Sequence, residues 1–279
     1  MSARSREVGP VRLAEDEIRK LAAAAGDVLE PGSASPYLLI AEHAGNQVPE
    51  PWQDLGLAPG LLATHYGLDI GIDAATRCLS GKLAAPAVIA RYSRLFLDFN
   101  RPSDEWDVLR PDLGGIPVPA NLAADADERA LREEIARAPL DRMIKTCAAG
   151  RHAMVSIHSF TPVMNGHRRD VDIGVLWCEP SPFIEAVFKR LRPAAEACGL
   201  KVGDNEPYDW RRENGYTLDR HGLDRGIAAV YLEIRNDLLS DPEVANTICD
   251  LLARALTEVA EQLWPDAVRA MLDRPTPSI

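Results

Sequence analysis

The chain has 279 residues, of which 46% are hydrophobic and 26% are charged, and this balance is typical of a soluble globular protein. The formal net charge of −11 argues against nucleic acid as a partner, because phosphate binding requires a basic face. No apolar run reaches the roughly 18 residues of a membrane span, so no membrane contact is expected. The five cysteines are widely spaced and include no C-x-x-C pair, which favours reduced thiols and a cytoplasmic location.

Residues 1–35 are predicted to form an extension and linker, because a short polar helix is followed by the turn-forming stretch EPGSASP. In residues 36–279, apolar runs of strand length alternate with stretches of helical pattern. The predicted strands are PYLLIAEH, AAPAVIARYS, RLFLDFNR, HAMVSIHSF, VDIGVLWC and AAVYLEIRND. The predicted helices are APGLLATHYGLDIGIDAATRCLSGKL, AADADERALREEIARAPLDRMIKTCAAG, SPFIEAVFKRLRPAAEACG and SDPEVANTICDLLARALTEVAEQL.

The predicted strands are continuous apolar runs rather than alternating ones, and this pattern is typical of a sheet covered on both faces. Their alternation with helices predicts an α/β fold, in which three layers enclose a largely parallel or mixed sheet as one domain. The sequence contains no G-x-x-x-x-G-K-[ST] and no convincing G-x-G-x-x-G, so a nucleotide-binding fold is not favoured.

Histidines stand at the ends of two predicted strands, His43 in YLLIAEHAGN and His158 in VSIHSF. Ligands of open α/β sheets bind beyond the carboxyl ends of the strands, so polar residues at these ends are expected to gather on one rim. This placement, rather than the spacing of the two histidines, predicts a shared site. The other polar residues at strand ends are Asp98, Asn100, Arg101, Glu233 and Arg235.

Two imidazoles and one oxygen ligand are able to hold Zn²⁺ and leave a fourth position for water. The metal lowers the pKa of that water toward about 7. A nearby glutamate is suited to accept the proton and return it to a leaving amine, and arginines are suited to bind a substrate carboxylate. The strand-end residues therefore include the parts of a metal-assisted amide hydrolase.

The sequence contains, in this order, the six segments EHAGNQVP, HYGLDIG, ARYSRLFLDFNR, SIHSF, DIGVLW and YLEIRND. Together they resemble the N-formylglutamate amidohydrolase family, which is related to the zinc carboxypeptidases. The resemblance runs from about Tyr37 to Leu238 and implies a zinc-carboxypeptidase-like fold with a single catalytic domain. IHSF resembles the carboxypeptidase segment that carries the last zinc histidine, FNR its carboxylate-binding Asn-Arg pair, and YLEIRND the strand of its catalytic glutamate.

The resemblance implies one divalent metal ion, most simply Zn²⁺. Zinc carboxypeptidases carry a glutamate three residues after the first histidine, and Asn46 stands at that place here. The third ligand is therefore either Asp69 or the carbonyl oxygen of Asn46, and we favour Asp69. The implied roles are His43 and His158 as metal ligands, Glu233 as general base, Arg91 or Arg94 as the group that polarises the scissile carbonyl, and Asn100 with Arg101 as the carboxylate clamp.

The segment 205–222 is long, polar and aromatic, and in a compact domain such a loop is usually functional. We predict that it closes over a substrate and that Tyr216 supplies a hydroxyl there.

The leading functional hypothesis is hydrolysis of N-formyl-L-glutamate to glutamate and formate. One alternative keeps the chemistry and changes the small-molecule substrate to another N-acyl amino acid or a peptide carboxyl terminus. A second alternative is a non-catalytic homologue that binds a metal or a carboxylate, because the glutamate of the carboxypeptidase motif is missing. The retained Glu233 argues against this second alternative.

Overall fold

The computed structural model describes residues 11–212 and 215–273. None of the helices in these two ranges is long and apolar enough to cross a membrane. The strands are β1 (Gly26–Leu29), β2 (Tyr37–Ala41), β3 (Ala87–Ala90), β4 (Ala153–Phe160), β5 (Val163–Met164), β6 (His167–Arg168), β7 (Ile173–Leu176), β8 (Val202–Asp204) and β9 (Ala228–Arg235). The α-helices are α1 (Glu15–Ala23), α2 (Ile72–Leu83), α3 (Pro119–Ala123), α4 (Ala126–Arg132), α5 (Ala138–Cys147), α6 (Pro182–Ala197), α7 (Thr217–His221), α8 (Pro242–Leu263) and α9 (Pro265–Leu272).

The central sheet has the strand order β1-β3-β2-β4-β9-β7-β8, and β5 and β6 form a separate hairpin. The strands β3, β2, β4 and β9 are mutually parallel, whereas β1 and β7 run antiparallel to their neighbours β3 and β9. All five residues of β2 are buried, as expected for a strand covered on both faces. The predicted α/β fold with a largely parallel, mixed sheet is confirmed.

Two apolar cores lie on the two faces of the sheet. Side chains of α2, α6 and α8 cover one face. Side chains of α5, together with the segments around Trp52, Phe96 and Val108, cover the other. Because side chains alternate along a strand, Ile40, Met154 and Tyr231 face this second core.

The N-terminal region contributes to the sheet. Strand β1 lies within residues 1–35, which the sequence predicts as extension and linker, and its residues Gly26–Leu29 pair with β3. A side chain at position 26 would press on Leu140 and on the Ile89 carbonyl, so the glycine allows close packing there. This part of the segment is therefore integral to the domain.

The predicted strand RLFLDFNR is wrong, because residues 94–101 form turns. Leu95, Phe96 and Leu97 are buried, but their segment does not join the sheet. Instead, two buried arginines bind its carbonyl groups: Arg132 Nη1 donates to Phe96 O at 3.1 Å, and Arg137 donates to two carbonyls further along. These side chains satisfy backbone acceptors that a neighbouring strand would otherwise satisfy.

Candidate metal centre and substrate cavity

His43 lies two residues beyond the end of β2, and a buried carboxylate holds its ring. The Nε2 atom is 2.8 Å from Asp98 Oδ1. The Nδ1 atom is buried without a hydrogen-bond partner and lies 3.7 Å from Asp69 Oδ2. When Nε2–H donates to Asp98, Nδ1 of the neutral ring keeps a free lone pair.

His158, on β4, repeats this arrangement. Its Nδ1 atom is 2.8 Å from Asp69 Oδ2, and its Nε2 atom is 3.2 Å from Glu42 Oε2. Glu42 is fully buried and accepts a hydrogen bond of 2.6 Å from Ser156 Oγ. Both histidines thus turn Nδ1 to the same carboxylate oxygen and Nε2 to a second buried carboxylate.

The charges of this cluster favour a bound cation. Burial raises the pKa of Asp69, but the hydrogen bond with His158 and the neighbouring His43 ring outweigh it and hold the pKa below its ordinary value. Burial also raises the pKa of Asp98, but Arg94 and His43 bring it well below its ordinary value. Burial lowers the pKa of His158, yet Asp69 helps to raise it well above its ordinary value. Both aspartates are therefore ionised at neutral pH.

The three residues His43, Asp69 and His158 fit a divalent metal. Their ligand atoms all lie within 4.8 Å of one another. Ligands about 2 Å from a tetrahedral metal lie roughly 3.3 Å apart, and the observed Nδ1–Oδ2 distances of 2.8 and 3.7 Å fall on either side of that value. Zinc-binding histidines commonly donate their other ring nitrogen to a carboxylate, and His43 Nε2 is paired with Asp98 in this way, whereas His158 Nε2 lies 3.2 Å from Glu42 Oε2. Two nitrogens and one oxygen leave a fourth position for water.

The fold brings Asp69, and not Asn46, to the histidines. The Asp69 amide donates to the His43 carbonyl at 2.8 Å, and the residue is buried. Beside the histidines lies a cavity that His43, Asp69 and His158 line. Asn46 is exposed and does not line this cavity. The backbone at Gly45 packs so closely on Arg91 that an added Cβ would lie 2.0 Å from the Arg91 carbonyl oxygen. The chain therefore turns toward the end of β3 after His43 and carries Asn46 outward.

Glu233 faces the same cavity from β9. It is only 7% exposed, and its Oε2 atom has no hydrogen-bond partner among the residues described. Burial raises the pKa of Glu233 to about 7, although the nearby His158 opposes the rise. The nearby Arg235 forms its ion pairs with Asp172 and Asp237, at N–O distances of 2.6 and 2.7 Å, rather than with Glu233. Glu233 is thus a carboxyl group able to accept and return a proton near neutral pH.

Of the two arginines predicted to polarise the carbonyl, only Arg94 reaches the cavity. Arg94 Nη2 is 2.8 Å from Asp98 Oδ2, and Nη1 is 3.5 Å from Asp69 Oδ1. Arg91 does not line the cavity, and its Nη1 atom is 3.0 Å from Asp27 Oδ2 on β1. The prediction for Arg91 is corrected, because Arg91 directly follows β3 and is drawn to the neighbouring edge strand.

Asn100 and Arg101 both line the cavity, as predicted for a clamp. Asn100 Oδ1 accepts hydrogen bonds from Tyr231 OH at 3.0 Å and from two backbone N–H groups at 3.1 Å. This fixes the amide and leaves Nδ2 as its donor group. Arg101 Nε donates to Asp107 Oδ2 at 3.1 Å, and Arg110 lines the cavity beside this pair.

Tyr216 does not line the cavity, so the structure does not place it as a substrate hydroxyl. Its hydroxyl donates to Asp141 Oδ2 at 2.9 Å. Another tyrosine of the predicted loop, Tyr208, lines the cavity and accepts a hydrogen bond from Arg169 Nη1 at 3.1 Å. The backbone of this segment crosses β7, where a Cβ at Gly174 would lie 2.1 Å from the Glu206 carbonyl oxygen. A glycine within a strand was the available signal for such a close approach.

The cavity has a volume of about 590 Å³ and contains the metal-ligand cluster and Glu233. One wall is the charged segment that follows β3, with Arg94, Arg101 and Arg110. The other wall combines the end of β4, the β5–β6 hairpin and the segment around Tyr208. The arrangement therefore offers a metal site, an acid–base group and anion-binding side chains within one space.

Comparisons with known proteins identify the family and the fold of the chain. The model of the N-formylglutamate amidohydrolase family matches residues 35–240. The solved structure of the gene product Atu2144 from Agrobacterium tumefaciens is 31% identical, with a TM-score of 0.79, and the match covers 88% of this chain and 98% of that one. The structure of N-formylglutamate amidohydrolase from Ralstonia eutropha JMP134 is 17% identical, with a TM-score of 0.65, and the match covers 86% of this chain and 100% of that one. No curated protein matches the chain.

The family model spans most of the chain, and its range includes the candidate ligands His43, Asp69 and His158 as well as Glu233. The Ralstonia protein shares the fold of this chain. The chain belongs to the N-formylglutamate amidohydrolase family.

Proposed function

We propose that the protein is a metal-dependent hydrolase of N-acyl amino acids, with N-formyl-L-glutamate as the first substrate to test. The observation that carries the proposal is the convergence of His43 Nδ1 and His158 Nδ1 on Asp69 Oδ2, in the cavity that Glu233 also lines. The Oε2 atom of Glu233 has no hydrogen-bond partner in the part of the chain that the structure describes. Membership of the amidohydrolase family supports cleavage of an amide bond.

The metal would be held by His43, Asp69 and His158. A divalent ion there, most simply zinc, would supply an activated water at neutral pH and would polarise the scissile carbonyl. Asp98 and Glu42 hold the far nitrogens of the two histidines and so fix the direction of both rings.

Glu233 accepts the proton of the attacking water and delivers it to the nitrogen of the leaving amine. Its pKa of about 7 suits a group that must do both in one turnover. Arg94 lines the cavity next to Asp69 and is placed to stabilise the negative charge that develops on the carbonyl oxygen. Arg101 and the Asn100 amide bind the substrate carboxylate, which orients the amide toward Glu233. With N-formyl-L-glutamate and water as reactants, the products are formate and glutamate.

The non-catalytic alternative is weaker, because burying Glu233 with one unpartnered carboxylate oxygen is costly for a protein that needs no base. The decisive experiment is metal analysis of the purified protein, together with a formate-release assay and an amine-release assay on a panel of N-acyl amino acids. Stoichiometric metal and metal-dependent turnover are expected. A metal-loaded protein that cleaves no member of the panel would overturn the proposal.

A further inference from the structure

The cavity has room for a ligand larger than N-formyl-L-glutamate. Even if each of its non-hydrogen atoms, about twelve, took the roughly 30 Å³ that a water molecule occupies in the liquid, the ligand would fill about 360 Å³. The cavity measures about 590 Å³, so more than a third of it stays unfilled. The cavity therefore has room for a substrate with a longer acyl group.

The two walls of the cavity differ in chemistry. Charged side chains of the segment after β3 form one wall, whereas Phe160, Val163, Met164 and Tyr208 contribute to the other. In the sheet order, β3 and β7 are separated by β2, β4 and β9, so the segment after β3 and the segment that crosses β7 lie on opposite sides of the metal ligands. The charged and apolar walls thus face each other across the reaction centre.

Contacts of Arg169 connect the parts of the apolar wall. The Arg169 guanidinium lies over the Phe160 ring at 5.4 Å and over the Tyr208 ring at 4.9 Å, which joins the base of the hairpin to the Tyr208 segment. Val163 and Met164 remain 50% and 49% exposed while they line the cavity. An apolar ligand would cover this surface, where Met164 Sδ accepts a hydrogen bond from Arg169 Nη2 at 2.5 Å.

The orientation of the substrate decides which part meets this wall. In an N-acyl amino acid, the carboxylate and the acyl substituent lie on opposite sides of the amide bond. When Arg101 binds the carboxylate and the carbonyl lies at the metal site, the acyl substituent extends away from the charged wall. It then runs toward β9 and β7, where Phe160, Tyr208 and the hairpin stand.

We infer that the enzyme accepts N-acyl amino acids whose acyl group is a medium-length aliphatic chain, and that it cleaves these faster than N-formyl substrates. The inference rests on the proposed function of the same site. Burial of each added methylene favours binding by roughly fourfold. From formyl to hexanoyl, we therefore expect kcat/KM to rise at least tenfold.

The test measures amine release by the metal-loaded full chain from N-formyl-, N-acetyl-, N-butanoyl- and N-hexanoyl-L-glutamate. A double variant, Val163→Thr with Met164→Gln, keeps the side-chain shapes but makes the wall polar. It should lower kcat/KM for the hexanoyl substrate relative to that for the formyl substrate at least threefold. The matched control is Leu122→Gln, an exposed apolar residue that does not line the cavity, and it should leave the profile unchanged.

Calorimetric binding of the same series to the Glu233→Gln protein separates the two proposals. Tighter binding with chain length but no turnover by the wild type would support the apolar wall and overturn the hydrolase proposal. Turnover of the formyl substrate, with neither faster cleavage nor tighter binding of longer acyl groups, would leave the hydrolase proposal standing and overturn this inference.

Discussion

His158 and Glu233 lie side by side as register partners on the parallel strands β4 and β9. Side chains paired in this way project from the same face of the sheet, with backbones about 4.8 Å apart. The separation of a proposed metal ligand and the proposed base is therefore set by sheet hydrogen bonds in the most buried part of the molecule. Such a base keeps its position when loops around the cavity move.

We expect His43→Ala and His158→Ala to lose the metal and to remain folded. Each change removes one of the two Nδ1 atoms that converge on Asp69 Oδ2. The measurement is metal content per chain, with circular dichroism as the check on folding. His65→Ala is the matched control, since His65 lines the cavity outside the ligand cluster and should retain the metal. Full metal occupancy in both ligand variants would refute the assignment.

Asp98→Asn should weaken metal binding without removing a ligand. Asp98 holds His43 Nε2 at 2.8 Å, and loss of such a partner typically lowers metal affinity 10- to 100-fold. Competition with a chelator gives the affinity directly. Asp107→Asn serves as the control, because Asp107 also lines the cavity but pairs with Arg101. Equal affinities of the two variants would mean that Asp98 does not support the metal site.

Much of this site was predictable because it stands on strands. The strands β2, β4 and β9 are continuous apolar runs. A polar residue at the carboxyl end of such a run is expected to lie at the edge of the sheet where ligands bind. His43, His158 and Glu233 therefore followed from the pattern. Asp69 followed only from the family resemblance and the choice between two candidates.

The rest depended on contacts that are distant in sequence. The sequence pattern predicts a strand over residues 94–101 because of its apolar residues. In the structure, Arg132 and Arg137 bind carbonyl groups of this segment from a helical region more than thirty residues later in the chain. Arg91 directly follows β3 and contacts Asp27 on β1, whereas Arg94 lies in the turn segment and reaches the cavity. Tyr208 and Tyr216 share one polar loop, and only the fold distinguishes the one in the cavity.

Arg132 offers a test of how that turn segment is held. The side chain is completely buried, and it donates to Asn121 Oδ1 at 2.7 Å and to the Phe96 carbonyl at 3.1 Å. Arg132→Met removes the donor of these two acceptors and breaks the ion pair with Glu128, so we expect a loss of about 3–5 kcal/mol in the free energy of unfolding. Urea denaturation measures it. The control Arg129→Met removes a bond at the surface and should cost less than about 1 kcal/mol. Similar losses in both variants would contradict the buried role.

Arg101→Lys tests the carboxylate clamp. Lysine keeps the charge but cannot form the paired hydrogen bonds of a guanidinium, so we expect kcat/KM to fall by the equivalent of about 1.5–3 kcal/mol. Arg91→Lys is the control, because Arg91 lies outside the cavity beside Asp27. Substrates whose carboxylate is amidated should react poorly with the wild type. If amidation had no effect on the wild-type rate, Arg101 would not bind the carboxylate.

Glu233→Gln separates a catalytic carboxyl from a structural one. Glutamine keeps the shape of the side chain but cannot accept a proton, so turnover should fall at least about 10²-fold, as is typical of general acid–base catalysis. The metal content and the melting temperature should stay near those of the wild type, because Arg235 binds Asp172 and Asp237 and does not depend on Glu233. Glu243→Gln, at the start of α8, controls for the loss of one carboxylate. If Glu233 served only to stabilise the fold, the variant would melt earlier while its turnover per folded molecule stayed unchanged. Metal content, melting temperature and formate release measured on one preparation distinguish the two outcomes.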